Sequence, residues 1–159
     1  TAAVAAAGAV PAASLRLLAA SLCAFLAARG HQLAALDLEG IPLGQDLISL
    51  WTPLIGALRG CRAQSLRWLS LGACRLGDRG LAGLLQWLGG PGEPAPALEA
   101  LILSDNCLSD ARLVFELLRS RARLCFERRA APLRLLDLSG NARLADPGAF
   151  ASAPAPAAA

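Results

Sequence analysis

The chain has 159 residues, of which 55% are hydrophobic and 17% are charged, and its formal net charge is +3. This length predicts about one domain, and so small a charge does not make nucleic acid the default partner. All of the basic residues are arginine, so the chain lacks the lysine of phosphate-binding loops and Schiff-base enzymes. Charged residues usually make up about 25% of a soluble domain, so the low value favours a surface that partners cover in part.

Residues 1–32 are Ala-rich, and we expect an N-terminal capping helix or degenerate repeat there. Larger apolar residues recur at helical spacing and predict one buried stripe: Leu15, Leu18, Leu22, Phe25 and Leu26. Ser14 is expected to cap the start of this helix and Gly30 to end it. The alternative is an uncleaved organellar targeting segment, because the first thirty residues contain no acidic residue. The run 17–28 is too short to cross a bilayer, so we expect no membrane span.

A Leu-x-x-Leu-x-Leu box occurs four times, beginning at Leu33, Leu66, Leu98 and Leu133. The starts lie 33, 32 and 35 residues apart, and a nearly constant period in this range indicates an array of stacked units. Such an array presents a broad surface instead of a catalytic pocket. The sequence therefore favours a binding or scaffolding role.

Each box is followed by a predicted helix, because apolar residues return every three or four positions. The first two copies show this best, with Leu47, Leu50, Leu54 and Leu58, then Leu81, Leu84, Leu85 and Leu88. Asp78, Asp110 and Asp146 stand where helix N-caps are expected, since a carboxylate there accepts from unpaired backbone N–H groups. Each unit is thus predicted to be strand, turn and helix.

The phrases Leu-Ser-Leu-Gly-Ala-Cys-Arg-Leu-Gly-Asp-Arg-Gly-Leu at 69–81 and Leu-Ile-Leu-Ser-Asp-Asn-Cys-Leu-Ser-Asp-Ala-Arg at 101–112 resemble leucine-rich repeats of the ribonuclease-inhibitor-like subfamily. The resemblance covers residues 33 to 146 and implies an α/β leucine-rich-repeat solenoid. It also implies a short parallel β-sheet on the concave side and helices on the convex side. We expect about four repeats over 33–147 and an Ala/Pro-rich tail at 148–159 that extends or drifts. The repeats are longer than the usual unit, with the excess at 89–97 and 121–132.

Alternation along the strands buries the box leucines and turns the residues between them toward the concave side. We expect a partner-binding surface there, made of the apolar residues Trp68, Ile102 and Leu135 and the carboxylates Asp37, Glu39 and Asp137. Adjacent exposed apolar groups usually mark a contact surface, and tryptophan is a favoured anchor. The alternative is that a loop or the tail covers them.

A basic patch is expected in the enlarged segment after the third full helix: Arg119, Arg121, Arg123, Arg128 and Arg129. Five guanidinium groups there could bind phosphate or an acidic protein. The alternative is a solvated loop and a helix C-terminus, where cations offset the helix dipole.

No catalytic, metal or cofactor site is expected. His31 is the only histidine and has no activated nucleophile beside it in the sequence. The five cysteines include no close pair that could hold zinc, and we expect buried free thiols in a reducing compartment. Cys74 and Cys107 are expected to face inward at the turns after two strands, at positions equivalent to Asn106 and Asn141.

These observations favour a non-catalytic protein-binding subunit of a larger assembly, of the kind that mitochondrial complexes and ciliary axonemes contain. One alternative is an RNA-associated subunit of an organellar ribosome that uses the patch at 119–129. Another is a regulatory inhibitor or GTPase activator. We expect an intracellular location, mitochondrial or otherwise organellar. Because the sequence does not begin with Met, we expect that a leader was removed or that the sequence begins inside a longer chain.

Overall fold

The computed structural model describes residues 11–29, 32–60, 65–89 and 97–145. Helices and strands alternate within these ranges: α1 (Ala12–Arg29), β1 (Ala35–Asp37), α2 (Thr52–Gly60), β2 (Trp68–Ser70), α3 (Gly77–Gly89), β3 (Ala100–Ile102), α4 (Ala111–Phe126) and β4 (Leu135–Asp137). A 3₁₀ helix at Leu43–Asp46 and a π-helical turn at Leu47–Trp51 precede α2. A second 3₁₀ helix, Ala142–Ala145, follows β4.

The four strands form one parallel sheet in the order β1-β2-β3-β4. The pairing places Leu36, Leu69, Leu101 and Leu136 in one row across the sheet. Leu69 and Leu101, on the two central strands, are fully buried, and Leu136 on the edge strand is half-buried. The predicted parallel sheet is confirmed, and so is the prediction that the box leucines point into the core.

The helices cover the leucine face of the sheet with their own leucines. Leu50, Leu54 and Leu58 from the first copy and Leu81, Leu84 and Leu88 from the second are buried, as the spacing predicts. The first copy reaches its helix only after the 3₁₀ helix and π-helical turn, which the sequence did not predict. Trp51 ends that turn and donates from its indole Nε1 to the Gly80 carbonyl of the next helix at 3.0 Å.

Helix α1 packs against α2, and the predicted stripe is confirmed for Leu15, Leu22 and Leu26 and wrong for its other two residues. Leu15, Ala19 and Leu26 are buried, whereas Leu18 and Phe25 are 46% and 48% exposed. The helix begins at Ala12, and the N–H of Ser14 donates to the Pro11 carbonyl, so the prediction that Ser14 caps the helix is wrong. Sequence spacing could not decide the stripe because alanine is small enough to face the core and leave a leucine on the outer side.

By length and composition, α1 is apolar enough to cross a membrane, with 18 residues and a mean hydropathy of 1.5. It alone among the described helices has this property, and only 17% of it is buried. The run 17–28 that we expected to be too short lies inside this longer helix. Length therefore does not exclude a span, and the absence of a span stays a prediction.

An inward-facing residue closes the turn after each of the last three strands: Cys74, Asn106 and Asn141. Asn106 Nδ2 donates to the Leu71 carbonyl at 2.6 Å, and its Oδ1 accepts from the Leu76 N–H at 3.1 Å. Asn141 Oδ1 in turn accepts from the N–H groups of Asn106 and Leu108, both at 3.0 Å. Each amide thus satisfies backbone groups of the preceding repeat and joins the two units.

The thiols do not all behave as predicted. Cys74 is buried, its Sγ lies 3.1 Å from the Leu38 carbonyl oxygen, and burial raises its pKa to about 12. Cys107 is exposed, so the prediction that it faces inward is wrong. Asn106 takes the inward position because it stands three residues after Leu103, as Cys74 does after Leu71. Cys23 and Cys125 are half-buried.

The predicted helix cap at Asp110 is confirmed, whereas the predicted cap at Asp78 is wrong, because Asp78 lies inside α3. Asp110 caps α4, with Oδ1 accepting from the Arg112 N–H at 3.0 Å. Asp78 instead accepts from the next unit, from the Ser109 hydroxyl at 2.5 Å and from the N–H groups of Ser109 and Asp110 at 2.8 and 3.0 Å. Asp78 therefore joins α3 to the segment that begins α4.

A pH-dependent contribution to stability follows from Asp78. Burial by itself would raise the pKa of this carboxyl, but the hydrogen bonds from Ser109 and Asp110 outweigh burial and hold it below the ordinary value of 3.8. Asp78 then stabilises the fold above the ordinary pKa, and this stabilisation is lost as the pH falls through the lower, folded-state pKa. We expect Asp78→Asn to lower the Tm at pH 7, and the gap from the parent chain to narrow below about pH 4.

Thermal melts from pH 7 to pH 2.5 would measure this gap. Glu116→Gln, an exposed site on α4, is the matched control and should leave the pH profile unchanged. A gap between parent and Asp78→Asn that stays constant across this range would contradict the prediction.

Several predictions fall on residues outside the described ranges. They concern Gly30, His31, Cys61, the Asp146 cap and the tail at 148–159.

Candidate functional site

The face of the sheet opposite the leucine row carries two parallel rows of side chains, which together we call the strand-face strip. The first row is Ala35, Trp68, Ala100 and Leu135, and the second is Asp37, Ser70, Ile102 and Asp137. Neighbouring strands lie about 4.8 Å apart, so Trp68 and Leu135 stand about 10 Å from each other with Ala100 between them. The sheet therefore brings together five of the six residues that the sequence assigned to the binding surface.

Exposure differs along the strip. Trp68 and Leu135 are 43% and 42% exposed, and Ile102 is half-buried. Ala100 and Ser70 are buried, because each small side chain lies between larger residues on the adjoining strands. Trp68 and Leu135 therefore stand above a floor of small residues.

The two aspartates at the ends of the second row have a structural role that the sequence did not predict. Asp37 Oδ1 accepts from the Glu39 N–H at 3.0 Å, and Asp137 Oδ1 accepts from the Ser139 N–H at 2.9 Å. Both bonds form the same turn, in which an aspartate accepts from the backbone two residues on. The hydrogen bond from the Ser139 N–H also holds the pKa of Asp137 below its ordinary value, which keeps this carboxylate charged.

Glu39, the sixth predicted residue, lies beyond the end of β1 and crosses the turn of the next unit. Its Cγ is 3.3 Å from the position that a Cβ on Gly72 would occupy, and Ser104 Oγ is 3.0 Å from the same point. A Cβ at position 72 would therefore require the Ser104 and Glu39 side chains to shift. The glycine therefore leaves room for the Glu39 side chain beside the turn after β2.

An ion-pair ladder borders the opposite edge of the strip, at the residues directly before the strands. Glu99 Oε1 lies 3.2 Å from Arg67 Nη1, and Glu99 Oε2 lies 3.5 Å from Arg134 Nε. Exposed pairs of this kind contribute little stability, about 0–1 kcal/mol, so their main effect is to fix charge at this edge. The ladder was not predicted from the sequence, although its three residues hold the same position before their strands.

The two edges of the strip consequently differ in charge. One edge carries two guanidinium groups that share one carboxylate, and the other carries Asp37, Glu39 and Asp137. None of these three carboxylates takes part in the ion pairs found among the described residues. An apolar centre thus lies between an edge with excess positive charge and an acidic edge.

The predicted basic patch is not a single loop surface. Arg119, Arg121 and Arg123 lie on α4, which continues to Phe126, and only Arg128 and Arg129 lie in the turn beyond it. The segment predicted as an insertion at 121–132 is therefore helical in its first half. The leucine period is weak there, because arginines and alanine replace the usual apolar residues.

Arg121 is a structural residue. It is 2% exposed, and its Nη2 donates to the carbonyls of Leu98 at 2.8 Å and Ala131 at 2.6 Å. Burial lowers the pKa of this guanidinium. The side chain connects α4 both to the segment that enters β3 and to the segment that leads to β4, so its assignment to an exposed patch is wrong.

The remaining arginines are partly compensated. Glu127 lies 3.7 Å from Arg123 Nε and 3.4 Å from Arg129 Nη1, and Arg119 and Arg128 are exposed. Arg123 in the last turn of α4, with Arg128 and Arg129 just beyond it, matches the interpretation that these cations offset the helix dipole.

No group of three or more His, Cys, Asp or Glu side chains suited to a metal ion occurs within the described ranges. The non-catalytic character of the chain stays a prediction.

The architecture, a four-stranded parallel sheet combined with helices, fits an α/β fold of the leucine-rich-repeat type. The family model for leucine-rich repeats matches residues 131–151, which begin just before β4. This match supports a leucine-rich repeat in the chain, and leucine-rich-repeat domains generally mediate protein–protein interaction. Neither a curated protein nor a solved structure matches the chain.

Proposed function

We propose that this chain is a non-catalytic protein-binding module, a leucine-rich-repeat solenoid of about four repeats whose concave side is the strand-face strip. The observation that carries the proposal is the register that puts Trp68 and Leu135 on one exposed row of the sheet. Large aromatic side chains at the centre of a contact surface supply most of the binding energy in protein complexes.

The charges beside this row favour a particular kind of contact. A partner would place apolar side chains against Trp68 and Leu135 and basic side chains near Asp37, Glu39 and Asp137. Such complementarity chiefly sets orientation and specificity, while the apolar centre supplies affinity. The ladder at the other edge would repel a uniformly basic partner, which disfavours a purely electrostatic contact.

We further propose that the chain serves as a scaffold subunit inside a larger intracellular assembly, of the mitochondrial or axonemal kind. The low fraction of charged residues supports this, as do the exposed apolar side chains away from the strip, among them Leu17, Phe25 and Leu118. The exposed thiol of Cys107 fits a reducing compartment.

RNA binding through the arginines at 119–129 is less favoured, because Arg121 is buried and Glu127 pairs with two of the others. It is retained as an outcome of the test below.

The test begins with proteins that co-purify with the tagged chain from cells and are identified by mass spectrometry. The purified partner is then titrated against the parent chain and against Trp68→Ala, Leu135→Ala and Phe126→Ala. We expect Trp68→Ala to weaken binding by about 30-fold, which corresponds to the loss of a 2 kcal/mol anchor. The fold should stay intact with a lowered Tm, because Trp68 is 43% exposed and its covered part contributes to stability.

Phe126→Ala is the matched control, since Phe126 is an aromatic residue 90% exposed at the end of α4. Equal affinities of all variants would refute the strip as the binding site. A different outcome is that binding is lost only when Arg119, Arg123, Arg128 and Arg129 are replaced by glutamine. If the complex also contains RNA and its affinity depends steeply on salt, the binding site is the basic segment and not the strip.

A further inference from the structure

The apolar part of the strand-face strip is short and runs across the strands. Trp68 and Leu135 occupy the same row of the sheet, two strands apart, which places them about 10 Å from each other. Ala100 lies between them and is 7% exposed, and Ser70 in the second row is 3% exposed. Two large side chains therefore bound a depression whose base is formed by small residues.

The backbone beneath the strip is already paired. Strand β2 forms ladders with β1 and β3, and β3 forms ladders with β2 and β4. A partner strand adds to the unpaired edge of a sheet, whereas the strip is a face of the sheet. An extended partner would lay its own N–H and C=O groups on the apolar side chains of Trp68, Ile102 and Leu135, and burying such groups without a partner is costly. A helix pairs its backbone internally and presents side chains, so this surface favours a helical partner.

The dimensions of an α-helix match the apolar row when the helix lies across the strands. Residues i and i+7 on one helical face are about 10.5 Å apart, since each residue rises about 1.5 Å along the axis. Residues i and i+3 or i+4 are about 5–6 Å apart, which is close to the strand spacing of about 4.8 Å. Apolar residues at i, i+4 and i+7 can therefore contact Trp68, the space above Ala100, and Leu135 in turn.

The charges of the strip lie where the flanks of such a helix would be. Asp37 and Asp137 stand at the two ends of the second row, on one side of the apolar row. Arg67 and Arg134, which share the carboxylate of Glu99, stand on its other side. The two aspartates are held in place, because each accepts from the backbone N–H two residues on, at 3.0 and 2.9 Å. A helix along the row would thus have one flank facing carboxylates and the other facing guanidinium groups.

We infer that the strip binds an amphipathic α-helix that lies across the four strands, with its apolar stripe on Trp68 and Leu135 and basic side chains along the flank that faces Asp37 and Asp137. This inference rests on the proposed function, since it names the class of partner that the same strip takes. The apolar stripe supplies affinity, as in other contacts between a helix and an apolar surface. The charged flanks favour one direction of the bound helix over the reverse.

A selection from random peptides of about 20 residues, displayed on phage, tests this inference. Peptides are selected on the full chain and depleted on Trp68→Ala, so that the recovered peptides depend on the strip. We expect their apolar residues to recur at i, i+3 or i+4, and i+7, with Lys or Arg concentrated on one flank. A synthetic peptide of a recovered sequence should gain helical circular dichroism when it is mixed with the chain. Proline in the middle of its apolar stripe should weaken binding about 100-fold.

The carboxylates offer a matched substitution. Asp37→Asn combined with Asp137→Asn removes both charges but keeps the side-chain oxygen that accepts in each turn. We expect this double variant to weaken binding of the synthetic peptide about tenfold, and by less at high salt. Glu116→Gln, the same kind of change at an exposed site on α4, should leave the affinity unchanged, because α4 covers the opposite face of the sheet.

Three results would overturn the inference. The first is a set of Trp68-dependent peptides that lack a helical period and gain no helicity on binding. The second is a selection that recovers no Trp68-dependent peptide, and the third is an affinity that the double asparagine variant leaves unchanged. Titration of the co-purified partner against Trp68→Ala is a separate measurement, so the proposed function can hold when this inference fails.

Discussion

Replacing Leu101 with aspartate is expected to leave the chain unfolded at neutral pH. Leu101 is fully buried on a central strand, with Leu69 and Leu136 as its neighbours in the leucine row. A carboxylate at this position would lose its hydration without a partner, which costs several kcal/mol. Domains of this size are stable by only about 5–15 kcal/mol in total, so the loss removes most or all of the stability. Far-UV circular dichroism and tryptophan fluorescence would report it.

The matched control is Leu135→Asp, which makes the same change on the opposite face of the neighbouring strand. Leu135 is 42% exposed, so its carboxylate keeps contact with water and the fold should survive. If Leu101→Asp melts like the parent chain, then the leucine row does not face the core and the strand register described above is wrong.

Asn106→Ala is expected to lower the free energy of unfolding by about 3 kcal/mol. The side chain is fully buried, and its removal leaves the Leu76 N–H without its acceptor and the Leu71 carbonyl without the 2.6 Å bond from Nδ2. A buried polar group that loses its partner costs about 1–3 kcal/mol. Denaturant titration of the two chains would measure the difference.

Cys107→Ser is the control, because it alters the next residue of the same turn, where the side chain is exposed. It should change stability by less than about 0.5 kcal/mol. Equal effects at 106 and 107 would show that the turn tolerates substitution and that the amide does not join the repeats.

The buried asparagines explain how short strands hold together here. Each strand has only three residues, so the ladder offers few hydrogen bonds to fix one unit on the next. Asn106 and Asn141 extend the contact beyond the strands into the turns, and Asn106 N–H itself donates to Asn141 Oδ1. In the turn of Cys74 a thiol replaces the amide, and a thiol is a weaker donor.

The strand-face strip combines an apolar row with two edges of opposite charge. Its apolar row is narrow, since only Trp68 and Leu135 rise above the small residues between them. The acidic edge and the arginine-rich edge differ in sign, so a partner that docks in the reversed orientation would place like charges together. This arrangement supports a single, oriented contact.

The repeating parts of this protein could be predicted from its amino-acid sequence. The box leucines recur at a nearly constant period, so each copy has the same pattern of apolar residues. When the copies stack, residues at equivalent positions of the box align in one row across the sheet. The parallel sheet, the buried leucine row and the exposed positions of Trp68 and Leu135 could all be predicted for this reason. The Asp110 cap is equally local, because its partner is only two residues away.

The contacts between side chains of different repeats depend on three-dimensional packing and could not be predicted from the sequence. Arg121 is buried because it reaches the carbonyls of Leu98 and Ala131, which are 23 and 10 residues away and are brought near by the return of the chain. The residues of α1 that are buried depend on how this helix packs against α2. The ion-pair ladder at Glu99 likewise depends on Arg67 and Arg134, which lie in the preceding and the following repeat. The spacing of residues in the sequence predicts which of them share a face of a helix or strand. Whether a charged residue or an alanine on that face is buried depends on the elements that pack against it.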